Sequence, residues 1–247
     1  MIISHKYQLI FVHVQKTAGN SVLRALKAID PEAVNCPPLK LSRRLQKQFV
    51  GFTSRFVGPQ SWYGRAPLCE GKHLFASDIK ESLGSHIWRD YFKFAFVRNP
   101  FDRLVSWYHM IEQRDATDAL WEYARSNSSD FETFVKQCTG VIYLSPYYRK
   151  SFAFNQIDYL TDENGNLLVD FVGRFESLEQ DFHRVCTMRN LPVQKLENAN
   201  TSKHAHYSKY YTPEAREIAT QRFKRDLNAF GYTFEQPVSN LVAEKSL

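Results

Sequence analysis

One short stretch near the N-terminus constrains this chain most, because it joins an apolar strand to a helix through a small polar loop. Residues 9–14 read LIFVHV, a run rich in β-branched and aromatic side chains. This length and composition are typical of a strand buried on both faces of a parallel sheet. Apolar side chains then recur at helical spacing, at Val22, Leu26 and Ile29. The sequence therefore predicts a helix that begins near Asn20 or Ser21.

The loop between this strand and helix, QKTAGNS at residues 15–21, carries groups that suit a phosphate. The first turn of a helix leaves backbone N–H groups without partners, and the helix dipole favours an anion there. Lys16 supplies a positive charge, and Gly19 lets the backbone approach a ligand closely. Thr17 and Ser21 add hydroxyl groups. A plain strand-to-helix turn with a surface lysine remains the alternative.

The order of residues in this loop differs from that of a nucleoside-triphosphate P-loop. That motif reads GxxxxGK[ST], with its lysine after the glycines. Here Lys16 precedes Gly19, and the chain has no glycine upstream of Lys16. Magnesium-ATP chemistry is therefore not the first interpretation.

A second candidate anion site follows the next apolar run, YFKFAFV at residues 91–97. Arg98 comes directly after this run, and Pro100 suits the first position of a following helix. Ligands of open α/β sheets gather at the carboxyl ends of strands, where Lys16 and Arg98 would both lie. Arg98 can bind a phosphate through two parallel hydrogen bonds, and Ser106, two turns into the helix, can add a hydroxyl. The apolar stripe of this helix predicts that Ser106 lies on the side away from the core.

Both motifs resemble those of sulfotransferases. Residues 13–21, HVQKTAGNS, resemble the 5′-phosphosulfate loop of the carbohydrate type, roughly HVPKTAGTS, with Gln15 in place of proline and Asn20 in place of threonine. Residues 98–106, RNPFDRLVS, resemble the 3′-phosphate motif, RxPxxRxxS. Four further segments look like the heparan 2-O and chondroitin group: GKHLFASDIKE, VDFVGRFESLEQDF, NTSKHAHYSKYYT and RFKRDLNAFGY.

The resemblance implies in-line transfer of a sulfuryl group from 3′-phosphoadenosine 5′-phosphosulfate to a hydroxyl, most simply on a carbohydrate, without a metal. By the same resemblance, Arg98 and Ser106 hold the 3′-phosphate, and residues 200–211 help to close over the nucleotide. The residues implied for the 5′-phosphosulfate are Lys16, Thr17, Ala18, Gly19, Asn20 and Ser21. Lys16 would also neutralise charge that builds on the leaving phosphate.

We predict that His73 is the general base that takes the proton of the acceptor hydroxyl. His73 follows an irregular segment at residues 31–71 and precedes the second apolar strand. It also matches the position of a catalytic histidine in the resembling 2-O-sulfotransferases. An imidazole with an unperturbed pKa near 6.5 can accept a proton at neutral pH. Glu70 or Glu81 as the base, and a purely structural histidine, remain the alternatives.

The alternation of apolar strands and helices predicts one α/β domain over residues 1–247, with a mainly parallel sheet flanked by helices. We predict helices at residues 77–88, 100–108, 116–125, 131–138, 177–190 and 212–230. The expected caps are Ser77-Asp78, Asp130 and Thr212, and Gly231 is expected to end the last helix. Residues 156–174 read as two strands around a turn at Asn164-Gly165. A long irregular connection covers residues 31–71, with one helix predicted at residues 39–49.

Charge and cysteine usage narrow the partners and the compartment. Residues 36–72 carry seven Lys or Arg and one Glu, whereas the whole chain has a formal net charge of +6. A local basic field suits a phosphosulfate donor or an anionic glycan without requiring nucleic acid, and a solvated face is the alternative. The aromatic side chains interleaved with it suit a sugar-binding wall or, equally, a small satellite core. The four cysteines form no CxxC, which fits a reducing compartment, and His204 with His206 is too small a set to indicate a metal.

The chain enters its first strand within about seven residues. We therefore expect a soluble, cytoplasmic protein of bacterial type without a transmembrane segment, and peripheral membrane association stays open. Two other functions remain as alternatives: a P-loop-like kinase, with Asp170 imitating a magnesium-binding strand end, and a non-enzymatic module that binds polyanions through residues 40–72.

Overall fold

A computed structural model describes residues 1–34, 73–83, 85–113, 119–145, 148–196 and 205–235, and it confirms the α/β fold. Within these ranges, the strands are β1 (Ile2–Ser4), β2 (Leu9–Val12), β3 (Phe92–Val97), β4 (Ile142–Ser145), β5 (Tyr148–Lys150) and β6 (Phe171–Arg174). The helices are α1 (Gly19–Ile29), α2 (Ala76–Leu83), α3 (Ser85–Asp90), α4 (Pro100–Gln113), α5 (Ala119–Asn127), α6 (Phe131–Gln137), α7 (Leu178–Met188), α8 (Pro213–Arg222) and α9 (Lys224–Phe230).

The central sheet has the order β1-β2-β3-β6 and three strand pairings. β2 runs parallel to β3, β3 runs parallel to β6, and β1 is an antiparallel edge strand on β2. Phe96 lies opposite Gly173, where an added Cβ would come within 2.4 Å of the Phe96 ring, so β6 needs glycine here. The parallel pairing of β2 and β3 brings the residues that follow both strands to one edge of the sheet.

Both faces of the sheet are covered, as expected for strands that read as continuous apolar runs. One face packs against α2 and α3 and contributes Ile10, Val12, Ala95 and Val97 to a core with Ile79, Trp88 and Tyr159. The other face packs against α1 and α7 and contributes Phe11, Phe94 and Phe96 to a core with Val22, Leu26, Phe182 and Val185. A third core joins α4, α5, α6 and α8 through Phe101, Leu104, Leu120, Phe134 and Ala219.

Local sequence signals placed several helix ends correctly. Pro100 is the first residue of α4, as predicted. Asp130 caps α6, and its carboxylate accepts a hydrogen bond of 2.7 Å from the backbone N–H of Thr133. Thr212 caps α8, and Gly231 ends α9 in the left-handed conformation, with φ of 64°.

Three predictions about secondary structure were wrong in detail. Residues 156–160 form no strand: Ile157–Tyr159 is a 3₁₀ turn, and Thr161 makes an isolated bridge to Leu167. Ser77 and Asp78 lie inside the first turn of α2 and do not cap it. The predicted helix at residues 212–230 breaks at Phe223, which has non-helical dihedral angles.

Some predicted features lie outside the described residues. These are the helix at residues 39–49, the basic and aromatic segment at residues 36–72, Glu70 and His204. Among the helices that the structure describes, none is both long and apolar enough to cross a membrane.

The buried carboxylate of Asp226 explains why residues 156–160 leave the strand pattern. It accepts hydrogen bonds from the backbone N–H of Gln156 at 2.8 Å and of Ile157 at 2.9 Å, so these groups do not join a sheet. It accepts a third, of 3.2 Å, from the side-chain Nε2 of Gln156. Nη1 of the buried Arg103 lies 3.7 Å from the same carboxylate. Burial raises the pKa of Asp226, and Arg103 and the backbone donors oppose that shift.

We predict that Asp226→Ala lowers the free energy of unfolding by about 3–5 kcal/mol, because Arg103 would lose its buried counter-charge and the backbone N–H groups would lose their acceptor. Urea denaturation of the purified protein measures this change. Asp90→Ala is the matched control, since Asp90 pairs with Arg89 in the exposed region of α3 and its loss should change little. Equal effects of the two substitutions would contradict the prediction.

Candidate active site

The loop after β2 turns sharply through two residues with left-handed backbone conformation. Lys16 has φ of 68° and Ala18 has φ of 59°, both unusual for residues other than glycine. The buried hydroxyl of Thr17 donates a hydrogen bond of 3.0 Å to the carbonyl of Val14 and ties the loop to the strand end. Helix α1 then begins at Gly19, one residue before the predicted start. Strained backbone of this kind often occurs at functional sites.

Gly19 is needed at the start of α1 because the imidazole of His13 packs directly against it. A Cβ atom at position 19 would lie 1.8 Å from Nε2 of His13. The ring of the buried His13 also stacks on Phe11, with ring centroids 5.6 Å apart. The sequence suggested that Gly19 makes room for a ligand. In the structure, the side chain of His13, the residue that follows β2, occupies this space.

His73, the predicted base, lies beside this loop. Its ring centroid is 4.2 Å from that of His13, and its Nδ1 is 3.0 Å from the backbone carbonyl oxygen of His13. Because a carbonyl oxygen can only accept, Nδ1 must carry the hydrogen, which makes Nε2 the basic nitrogen of the neutral ring. His73 is half-buried, so its ring is fixed by the protein but partly accessible.

The side chain of Lys16 extends from the loop to helix α4. Its Nζ lies 3.4 Å from Sδ of Met110 and 5.8 Å from the centre of the Trp107 ring. Ser106, which precedes Trp107 in α4, is 2% exposed. The sequence pattern had put Ser106 on the side of the helix away from the core, and that placement was wrong. Its burial places Ser106 inside the protein, near the helix segment that Lys16 contacts.

Arg98 lies at the carboxyl end of β3, as predicted, and contacts the Lys16 loop. Its Nη1 donates a hydrogen bond of 3.3 Å to the backbone carbonyl of Lys16. Its Nε and Nη2 both lie 2.7 Å from one carboxylate oxygen of Asp102, one turn along α4. The guanidinium also lies 4.0 Å from the centre of the Phe175 ring. The structure therefore brings Lys16 and Arg98 together, and Asp102 occupies one edge of the guanidinium.

The backbone of Arg98 is held by a side chain that the sequence did not single out. Oε1 of Gln156 accepts a hydrogen bond of 2.8 Å from Arg98 N–H, and Nε2 donates one of 2.7 Å to Arg98 C=O. Glu176 likewise accepts a hydrogen bond of 2.7 Å from the N–H of Asn99 and one of 2.8 Å from the hydroxyl of Tyr232. Both partners lie far from Arg98 in sequence, so no local pattern could identify them.

The segment that was expected to close over a nucleotide packs on the start of α4. The hydroxyl of Tyr211 donates a hydrogen bond of 3.0 Å to the carbonyl of Phe101, and that of Tyr207 donates one of 2.7 Å to the carbonyl of Phe234. Burial raises the pKa of both phenols, which therefore stay neutral donors. This packing places residues 205–211 on the Arg98 side of the site. Their closure over a ligand stays a prediction.

No group of three or more His, Cys, Asp or Glu side chains that could hold a metal ion is present in the described ranges. His206 uses its Nδ1 locally, 2.8 Å from the hydroxyl of Ser208. The described site is therefore built from cations, hydroxyl groups and a helix N-terminus, which together suit an anionic ligand.

Comparison with known proteins agrees with this arrangement. A family model described as "Sulfotransferase family" matches residues 1–233. The chain is 29% identical over 133 residues to an uncharacterized protein of Archaeoglobus fulgidus, a match that covers 53% of this chain and 94% of that protein. No solved structure matches the chain significantly.

We predict that Gly19→Ala lowers the free energy of unfolding by about 1–3 kcal/mol, because the new Cβ would overlap the His13 ring and force it or the loop to move. Urea denaturation measures the effect. Ala18→Gly is the matched control, since it makes the reverse exchange at a residue with left-handed φ and should leave stability unchanged or higher. Parent-like stability of Gly19→Ala would show that the His13 ring is not packed there.

Proposed function

This chain belongs to the sulfotransferase family, and on that premise we propose that it transfers a sulfuryl group from 3′-phosphoadenosine 5′-phosphosulfate to a hydroxyl group, most simply on a carbohydrate. The observation that carries the proposal is the hydrogen bond of 3.3 Å between Arg98 and the Lys16 carbonyl. This contact brings the two anion motifs of the sequence next to each other. A sulfuryl donor that carries two separate phosphate groups requires such an arrangement.

Each end of the donor has its own set of groups in this proposal. The 5′-phosphosulfate binds at the N-terminus of α1, where the helix dipole and backbone N–H groups favour an anion. Lys16 and the hydroxyl of Ser21 complete that end, together with the backbone of residues 17–20. Thr17 contributes through its backbone in this proposal, because its hydroxyl hydrogen is donated to the Val14 carbonyl. The 3′-phosphate binds to Arg98 and the hydroxyl of Ser106, because a guanidinium matches a phosphate in charge and geometry.

The proposed reaction is an in-line displacement at sulfur. The acceptor oxygen forms a bond to sulfur while the bond between sulfur and the bridging phosphate oxygen breaks, and adenosine 3′,5′-bisphosphate leaves. Lys16 would offset the negative charge that develops on the leaving phosphate, an effect that grows in the transition state. Positioning and charge stabilisation supply most of the catalysis in the related phosphoryl transfers, so no metal is required in this scheme.

His73 is the proposed general base, and its hydrogen bond to His13 supports this role. That bond orients the ring and leaves Nε2 as the basic nitrogen, which can take the proton from the acceptor hydroxyl as the oxygen attacks. The contact between the His13 and His73 rings holds the base next to the loop that receives the phosphosulfate. His13 would therefore position His73 and would not itself react.

A kinase remains the second candidate enzyme, and the position of Asp170 disfavours it. Asp170 directly precedes β6 and accepts a hydrogen bond of 2.7 Å from the N–H of Lys93, at the amino end of β3. Lys16 and Arg98 follow the carboxyl ends of β2 and β3. The length of β3, about 16 Å at roughly 3.3 Å per residue, separates Asp170 from Arg98. The module that binds polyanions would rest on residues 40–72, outside the described ranges.

The donor site is tested by thermal stabilisation and by two substitutions. We expect adenosine 3′,5′-bisphosphate to raise the melting temperature, and Mg-ATP or heparin at the same concentration to have a smaller effect. Arg98→Ala should weaken bisphosphate binding about 10- to 100-fold, through loss of a charge-assisted hydrogen bond. Lys16→Ala should lower kcat by about 10²–10³-fold.

Lys224→Ala is the charge-matched control, because Lys224 is exposed at the start of α9. Transfer should persist in a chelator, with no transfer from ATP. Parent-like nucleotide binding by both Lys16→Ala and Arg98→Ala would refute the two-motif site. Stabilisation by Mg-ATP alone, with a strict magnesium requirement, would favour the kinase.

We predict that His73→Ala lowers kcat by about 10²–10⁴-fold and leaves bisphosphate affinity unchanged, because a base acts on the acceptor and not on the nucleotide. His73→Asn is a second variant, since its amide can still donate to the His13 carbonyl but cannot act as a base. His183→Ala, at an exposed position of α7, is the control. Retained kcat in both His73 variants would exclude His73 and direct attention to a carboxylate such as Glu81.

A further inference from the structure

The side chain of Gln15 is buried without satisfying its hydrogen-bonding groups. It is 1% exposed, and neither Nε2 nor Oε1 has a hydrogen-bond partner among the residues that the structure describes. A carboxamide in this state loses its contacts with water and gains nothing in return, which destabilises the folded protein. A native protein rarely keeps such a group unless it has another use.

The other buried amides of the described chain show how unusual Gln15 is. Gln156 uses both polar atoms on the backbone of Arg98. Asn99 accepts a hydrogen bond from the N–H of Phe101 and donates one to the carbonyl of Thr233. Asn155 donates to the carbonyl of Arg222 and accepts from the N–H of Asp226. The fold therefore satisfies three of these four side chains within the protein, and Gln15 is the exception.

The position of Gln15 relates it to the anion loop. It lies between Val14, whose carbonyl anchors Thr17, and Lys16, whose carbonyl accepts the hydrogen bond from Arg98. The backbone turns into the left-handed region at Lys16, directly after Gln15. The Gln15 carboxamide, which has no hydrogen-bond partner among the described residues, therefore lies between the end of β2 and the proposed phosphosulfate loop.

We propose that the carboxamide of Gln15 binds the 5′-phosphosulfate end of the donor, with Nε2 donating a hydrogen bond to a non-bridging oxygen. This inference rests on the proposed function and adds a residue to it. The neighbouring groups, Lys16 and the N-terminus of α1, both favour an anion, and an amide N–H₂ is a directed donor to an anionic oxygen. Gln15 is a binding and positioning residue in this account, because it neither accepts the proton nor attacks sulfur.

The test compares two ligands that differ only at the 5′ position, adenosine 3′,5′-bisphosphate and adenosine 3′-monophosphate. Gln15→Leu keeps the approximate volume of the side chain and removes both polar atoms. We expect Kd for the bisphosphate to rise about tenfold or more, through loss of a hydrogen bond to a charged group. The affinity for the 3′-monophosphate should match that of the parent, because Arg98 and Ser106 are intact.

A second measurement separates this role from an ordinary structural one. Without ligand, Gln15→Leu should unfold at a higher urea concentration than the parent, because it removes an unsatisfied buried amide. Asn155→Leu is the matched control, and it should unfold at a lower concentration, because it removes an amide whose hydrogen bonds are made within the protein.

The inference is overturned if Gln15→Leu binds both nucleotides as the parent does, or if it is less stable than the parent without ligand. These results would leave the donor site of Lys16 and Arg98 standing. If the parent itself binds neither nucleotide, the proposed function fails, and the inference fails with it.

Discussion

The proposed donor site depends on the hydrogen bonds that the buried carboxylate of Asp226 accepts. It holds the backbone of Gln156 in place, and the carboxamide of Gln156 in turn holds both backbone polar groups of Arg98. Arg103 balances the charge of Asp226 inside the protein. Helix α9 therefore fixes a residue at the end of a central strand. Buried polar networks of this kind are costly when broken, so they specify one arrangement of the chain.

A second constraint is the parallel pairing of β2 and β3, which puts the loops after both strands at one edge of the sheet. Lys16 and Arg98 meet there because of the topology, and Asp102 contacts one edge of the Arg98 guanidinium. His13, directly after β2, packs on Gly19, and its backbone carbonyl lies 3.0 Å from Nδ1 of His73. The few residues that follow β2 thus support the proposed phosphosulfate loop, the proposed base and the contact with Arg98.

Much of this could be predicted because the signals are local. Near neighbours in the sequence are enough to predict the apolar runs at residues 9–14 and 91–97, the first helical residue Pro100 and the capping residue Asp130. The rest depends on partners far along the chain. Residues 156–160 have the composition of a strand, but the N–H groups of Gln156 and Ile157 donate to the carboxylate of Asp226, and those of residues 158–160 donate to nearby backbone carbonyls. The three-residue edge strand β1 is too short to give a pattern. Nothing in the sequence indicates that the amide of Gln15 is buried without a partner, since that property exists only after folding.

The most direct test of the two-motif donor site is a crystal structure of the protein with adenosine 3′,5′-bisphosphate. The account predicts the 5′-phosphate at the N-terminus of α1, within hydrogen-bonding distance of Lys16 and the backbone of residues 18–20. It predicts the 3′-phosphate in contact with the guanidinium of Arg98 and the hydroxyl of Ser106. A nucleotide bound in the reverse direction, or at a site without Lys16 and Arg98, would contradict it.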